Sequence, residues 1–220
     1  MLQFAGRTAL ITGASKGIGY HLARLCAFEG ADLVLVSRNT EDLEHAARTI
    51  TAEYKVAATI LPTDLSDPGS VDELWHKLEE KGVAVDILVN NAGIGAYGAF
   101  HEITEARART MLQLNVVSFA ELMRRAAIGM VNRKWGRILN VASVAGFQPM
   151  PFMGAYAATK AYVLSLSEAA HVELAPHGVV VTCLAPGPTE TDFFASAGMA
   201  ILRTPGVMKP DAVADIGFRG

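Results

Sequence analysis

The sequence has little of what would tie it to several large classes of function. Its two cysteines, Cys26 and Cys183, stand alone in apolar segments; they read as core thiols, not as a disulfide or a metal site. The six histidines fall at no ligand spacing, so no metal is expected. Charge of one sign is also missing: 19 Lys+Arg stand against 22 Asp+Glu, a formal net charge of −3, with no basic run. Nucleic acid is therefore not an expected ligand. No apolar run reaches the roughly 18 residues of a membrane span. The first strand-like run, RTALIT, starts at Arg7, leaving no room before it for a secretory h-region. These absences predict a soluble protein of cytoplasmic location. Linkers, low-complexity segments and repeats beyond a βα unit are absent too. With 51% hydrophobic residues among 220 and a mean hydropathy of +0.28, the chain is expected to form a single domain over residues 1–220, with apolar surface to spare for a partner chain.

What the chain does have is alternation. RTALIT (7–12) is a short apolar run, and HLARLCAFEG after it has helical spacing. DLVLVSR (32–38) reads as a strand and EDLEHAARTITAEY (41–54) as an amphipathic helix, and KVAATILPT with VDELWHKLEEKG repeats the pair. VDILVNNAG (85–93), GRILNVAS (136–143) and GVVVTCLAPG (178–187) supply three more strands. A long helix is predicted from Glu105 to about Asn132, with Leu112, Val116, Phe119, Met123, Ala127 and Met130 on one stripe. Strands alternating with helices imply right-handed crossovers and a parallel sheet covered on both faces, and nearly unbroken apolar strands agree with that. The fold expected is α/β: a doubly wound parallel sheet in three α/β/α layers. The sequence stops at Gly220 inside a helical pattern, DAVADIGFRG.

ITGASKGIG (11–19) joins the first strand to the first helix. Gly13, Gly17 and Gly19 let the backbone turn sharply and approach a pyrophosphate, and the helix behind them offers unpaired N–H groups and a positive dipole end. The spacing is G-x-x-x-G-x-G, neither the G-x-G-x-x-G fingerprint nor a P-loop, since no G-K-[ST] closes it. NAD readers usually hold the ribose with a carboxylate near the end of the second strand. Here that end reads Ser37, Arg38, Asn39, and Asp32 lies at the opposite end. A guanidinium thus stands where an acid would repel a 2′-phosphate, and Lys16 in the glycine turn can reach the same spot. The alternative is two solvated surface cations. The cofactor expected is NADP(H) in preference to NAD(H).

GAYAATKAYV (154–163) puts Tyr156 four places before Lys160 on one helix face. Alone, such a pair is no more than a surface pair. Its neighbours change the reading, because ligands of open α/β sheets gather beyond the carboxyl ends of strands. NNAG (90–93), Ser143 and PGPTET (186–191) all lie at such ends. Hydride transfer to a carbonyl needs a proton for the new alkoxide. A tyrosine titrating near ~10 is a poor proton exchanger at neutral pH. Lowering it by ~3 units takes ~4 kcal/mol, about what one cation at ~4 Å supplies at an effective dielectric of ~20. Lys160 is placed to be that cation, and Ser143 to hydrogen-bond the substrate oxygen. Asn115, polar among the apolar residues of the long helix, needs a buried partner.

In this order and spacing, ITGASKGIG, NNAG, Asn115, Ser143, YAATK and PGPTET resemble the short-chain dehydrogenase/reductase family, from about Arg7 to the end of the chain. The chain looks most like its compact single-domain branch, and the run VASVAGFQPMPFMGAYAATKAYV is similar to the bacterial DltE-like subgroup. The resemblance implies a Rossmann fold and hydride transfer between NAD(P)H and a carbonyl or alcohol substrate. It implies Tyr156 as general acid/base, Lys160 lowering its pKa and binding the nicotinamide ribose, and Ser143 orienting the substrate oxygen. Asn115 would bend its helix so that a carbonyl holds a water leading to Lys160. Gly13, Gly17 and Gly19 would cradle the pyrophosphate, with Ser15, Ile18, Ser37 and Leu65 in the same cofactor set. Asn91, Ala92 and Gly93 would line the adenosine side, and Asp64 would take the adenine amine. Pro186, Gly187, Thr189 and Thr191 would meet the carboxamide and phosphates. The helices of Asn115 and Tyr156 would build a homodimer or homotetramer interface, with Ala157, Ala158 and Ala161 suited to close approach. Members of the family normally continue through a further helix and a seventh strand; this chain ends before that strand, so the single domain is expected to lack it, through either a missing tail or a shortened domain. IGAYGAF (94–100), GFQPMPF (146–152) and a lid segment at 188–208 are expected to form the substrate pocket. Tyr97, Phe147, Met150, Phe152, Phe193, Phe194 and Met199 suit an apolar carbonyl compound there. A cofactor-binding, non-catalytic sensor or partner-binding protein of the same fold stays open as the alternative.

Overall fold

The computed structural model describes residues 3–198 and 206–220. β1 (Thr8–Thr12) lies inside the sheet, between β2 (Asp32–Ser37) and β4 (Ile87–Asn90), parallel to both. β3 (Ala58–Pro62) pairs with β2 at one edge. On the other side β5 (Gly136–Val141) pairs with β4, and β6 (Val179–Leu184) with β5. The order β3-β2-β1-β4-β5-β6 makes the sheet of the described residues six-stranded and parallel throughout. Strand order reverses between β1 and β4, which opens a crevice above their carboxyl ends.

Successive side chains of β1 point to opposite faces. Leu10 joins Leu74, Leu88, Leu122 and Val163 in one apolar layer, while Ile11 joins Leu22, Leu33, Leu43 and Val89 in the other. α1 (Gly17–Phe28), α2 (Thr40–Tyr54) and α8 (Pro210–Arg219) supply the second layer. α3 (Ser70–Glu80), α5 (Phe119–Arg133) and α6 (Gly154–Leu174) supply the first. α2 starts where Asn39 accepts a hydrogen bond from the Asp42 N–H (3.1 Å). A short α7 (Phe193–Ser196) follows β6. Among the described residues no helix is long and apolar enough to cross a membrane.

The long helix expected from Glu105 is not continuous. α4 (Glu105–Leu112) passes into a π-helical segment, Gln113–Ser118, and only then into α5. The wider turn rotates the buried face. Leu112, expected inside, is 47% exposed, whereas Met111 and Asn115 are buried. Of the rest of the expected stripe, Phe119, Met123 and Met130 are buried and Val116 and Ala127 half-buried. Cys26 is buried as expected, but Cys183 only partly so.

Thr12 ties the two strands that flank the crevice. Its hydroxyl oxygen accepts from the N–H groups of both Asn91 and Ala92 (2.9 Å each). The Asn91 side chain returns a bond to the Thr12 carbonyl (2.9 Å). Thr12→Val keeps the shape and removes the acceptor, orphaning two N–H groups. It is expected to lower stability to urea by about 1–3 kcal/mol, whereas Thr12→Ser, which keeps the acceptor, should retain most of the wild-type stability.

Candidate active site

The glycine turn leaves β1 with Gly13 at φ +64° and Gly17 at φ +60°. Position 13 has no room for a side chain, because a Cβ there would stand 2.7 Å from Asn91 Nδ2. α1 begins at Gly17 with no side chain capping it, so its first N–H groups are open to an anion. One cleft of about 650 Å³ runs from this turn across the ends of β4, β5 and β6. Every residue expected at the site lines it except Gly19 and Asn115. Gly19 is packed against the Gly13 carbonyl, and Asn115 lies buried behind the wall.

Beside the end of β2, Ser15 and Ser37 share a hydrogen bond between hydroxyls (3.1 Å). A shallower depression of about 470 Å³ opens beside them, lined by Ser15, Lys16, Ser37, Arg38, Asn39 and Asp42. Arg38 is exposed there, with no ion pair among the described residues. Lys16 is paired, with its Nζ 2.8 Å from Asp192 Oδ2. Asp64 turns one oxygen to Ser66, accepting from its N–H (2.9 Å) and hydroxyl (2.6 Å). No acid stands at the end of β2; the carboxylate in the depression belongs to Asp42, in the first turn of α2.

At the other end, α6 presents Tyr156 and Lys160 to the cleft from successive turns, both buried. The loop after β5 presses on α6 at this level, and a Cβ on Gly146 would lie 2.7 Å from the Lys160 carbonyl carbon. Ser143 Oγ accepts from the Ala145 N–H (3.2 Å) and lies 3.5 Å from the Pro186 carbonyl, too long to hold the hydroxyl proton firmly. The Asn115 amide clasps the backbone of Ile94, donating to its carbonyl (2.9 Å) and accepting from its N–H (3.0 Å), and donates also to Thr159 Oγ1 (3.1 Å). The helix does open into a π turn at Asn115, but the Lys160 ammonium donates to the Val141 carbonyl (2.8 Å).

Burial dominates the titration of both groups. It pushes the Tyr156 phenol up to about 12, with the nearby Ser143 hydroxyl working the other way. Burial likewise pulls the Lys160 ammonium down to about 8, opposed by Cys183. The expectation that Lys160 lowers the Tyr156 pKa is not met. The ammonium is turned to Val141, 5.8 Å from the centre of the tyrosine ring. Desolvation therefore outweighs attraction at the phenol.

The lid side brings in residues that carry no motif. The Phe193 ring lies on Tyr156 with centroids 5.1 Å apart, and Phe194 meets Phe193 edge-on at 5.8 Å. Arg107 donates from one nitrogen to the carbonyls of Gly95 (2.5 Å) and Ser196 (2.9 Å), tying α7 to the loop after β4. Thr12, Thr159, Arg107 and Asp192 all went unforeseen, because each acts through partners distant in sequence. Of the aromatic pocket expected, Met150, Phe193 and Phe194 line the cleft, whereas Tyr97, Phe147 and Phe152 do not. Phe147 is 68% exposed, and Tyr97 stacks on Phe152 instead. Met199 and the middle of the 188–208 lid lie outside the described residues. Among those described, no group of three or more His, Cys, Asp or Glu could hold a metal ion.

The family described as short chain dehydrogenase matches residues 7–200. Nodulation protein G of Rhizobium sp. (strain N33) is 37% identical over 191 residues, covering 87% of this chain and 76% of that protein. A sorbitol dehydrogenase of Cereibacter sphaeroides is 36% identical over 187 residues, covering 84% and 72%. Among solved structures, a short-chain dehydrogenase from Sphingobium yanoikuyae in complex with NADPH superposes with a TM-score of 0.91 at 36% identity. It covers 97% of this chain and 84% of that one.

The buried ammonium makes a stability prediction. Lys160 titrates near 8 in the fold against ~10.4 in an unfolded chain. Between those values the unfolded state holds more of the proton, so stability rises with pH. Below pH 8 both states are charged and the desolvation penalty is fully present. The melting temperature of the wild type should therefore gain on that of Lys160→Met as pH rises from 8 to 10.5, and the difference should be flat below pH 7.

Proposed function

The chain belongs to the short-chain dehydrogenase family, and from that premise we propose that it is an NADP(H)-dependent oxidoreductase acting on a carbonyl or alcohol. The observation that carries this reading is the convergence of Ser143, Tyr156 and Lys160 with the glycine turn on one cleft. The cradle suits a dinucleotide: the helix behind it is uncapped and the strand end beside it carries no acid. When bound, the nicotinamide supplies or accepts the hydride. In reduction, Tyr156 gives its phenolic proton to the substrate oxygen while Ser143 donates a hydrogen bond to the same oxygen. In oxidation both transfers reverse. A phenol kept protonated by burial suits the acid role at neutral pH. Lys160 is the cation within reach of it, able to stabilise the phenolate once the proton has gone. Asn115 positions rather than reacts: it fixes Ile94, and through Thr159 it fixes the turn of α6 that carries Tyr156.

The preference for NADP(H) rests on Arg38 and Lys16 at the depression beside Ser37, and the NADPH-bound structural relative is consistent with it. Met150, Phe193 and Phe194 in the cleft wall favour an apolar carbonyl compound. Exposed Leu112, Val117 and Ile128 along α4–α5, and Tyr162 and Val172 on α6, favour a homodimer or homotetramer built on those helices. Residues 141–163 suggest the DltE-like subgroup, and two free cysteines suit a cytoplasmic location. All four catalytic positions are filled, so the non-catalytic alternative has no observation in its favour.

Titration calorimetry with NADPH and NADH tests the cofactor without any knowledge of the substrate. NADPH should bind more tightly, and Arg38→Ala should erase most of that advantage while leaving NADH unchanged. Equal loss for both cofactors would contradict the phosphate role. In a carbonyl screen with NADPH, Tyr156→Phe should lower turnover by about 10²–10⁴-fold with NADPH affinity within about twofold of wild type. Undiminished turnover would rule out Tyr156 as the proton donor.

A further inference from the structure

The ammonium best placed for the cofactor's 2′-phosphate already has an anionic partner. Lys16 Nζ lies 2.8 Å from Asp192 Oδ2, and this bond raises the Lys16 pKa above its ordinary value. Asp192 is not there by virtue of Lys16 alone. It precedes α7, whose Phe193 lies on the Tyr156 ring and whose Ser196 carbonyl is held by Arg107. On its other side Glu190 and Pro188 bond to Met208 (2.9 and 3.0 Å). The carboxylate is thus delivered to the mouth of the phosphate depression by a strap anchored at both ends.

We infer that Asp192 is a specificity-determining residue for the cofactor: its carboxylate competes with the 2′-phosphate for Lys16. A phosphorylated dinucleotide must displace or share Lys16, whereas an unphosphorylated one leaves the pair intact. The strap and the phosphate therefore oppose each other, and the opposition is reciprocal. Asp192 sets how strongly the cleft prefers NADP(H), and couples that preference to the segment covering Tyr156. The other charged groups facing Lys16 are Asp42, an acid, and Arg38, a like charge. Neither bonds to it. Because both members of the pair are largely exposed, at 63% and 71%, the competition is worth about two- to fivefold in affinity.

This inference rests on the phosphate reading of Lys16 and Arg38, and one set of titrations separates the two. The probes are adenosine 2′,5′-bisphosphate and adenosine 5′-monophosphate, which differ by the 2′-phosphate and carry no nicotinamide. Asp192→Asn should bind the bisphosphate about two- to fivefold more tightly and the monophosphate unchanged. The gain should vanish in a Lys16→Met background, as a double-mutant cycle requires of a direct competition. Glu190→Gln, which removes the same charge from the same cleft wall without touching Lys16, should give no comparable gain. Unchanged or weaker bisphosphate binding by Asp192→Asn overturns the inference, as does a gain that survives Lys16→Met or is matched by Glu190→Gln. If Lys16→Met abolishes the wild-type preference for the bisphosphate while Asp192→Asn does nothing, the phosphate reading stands and the competition does not. If the wild type shows no preference at all, the phosphate reading fails and takes the competition with it.

Discussion

The cleft exists because β1 and β4 are held together at the point where their connections part. The Thr12 hydroxyl accepts two backbone N–H groups from the far strand's exit, and Asn91 answers with a bond to the Thr12 carbonyl. Those backbone groups have no ladder partner, since the chain there has left the sheet. A buried hydroxyl satisfies them where water would otherwise have to enter. The glycine turn on one side and the Asn-Ala-Gly turn on the other are thereby brought into contact, close enough that Gly13 cannot carry a side chain.

The reacting end follows a different rule. Tyr156 and Lys160 are buried where the charged form of each is disfavoured, and the fold bears a desolvation penalty for keeping an ammonium there. The surrounding bonds limit the damage: Lys160 has the Val141 carbonyl, and Asn115 saturates both backbone groups of Ile94 while reaching Thr159. The π turn at Asn115 gives up regular helix geometry, and it leaves Met111 and Asn115 buried where a regular repeat would have buried Leu112. Local irregularity at a helix that also packs in the core is characteristic of a site, not of a scaffold.

The glycine-turn end and the Tyr156 end of the cleft are joined by a short strap, Asp192–Ser196. Within five residues it pairs with Lys16, covers Tyr156 and accepts from Arg107. Its contacts are side chain to side chain at one end and side chain to backbone at the other.

The sequence by itself determined the architecture. Unbroken apolar strands alternating with amphipathic helices point to a parallel sheet covered on both faces, because that pattern reflects burial on two faces and is written locally. The glycine turn, Ser143, Tyr156 and Lys160 were legible for a similar reason: each occupies a strand end or a helix turn whose place the topology dictates. The tertiary structure alone decided the rest. The stripe through Leu112 failed because a π turn adds a residue that no period anticipates. Thr12, Arg107 and Asp192 act on groups far away in sequence, Arg107 on Ser196 and Asp192 on Lys16. The protonation of Tyr156 and Lys160 follows from burial in the assembled fold, an environment that neighbours in sequence do not create.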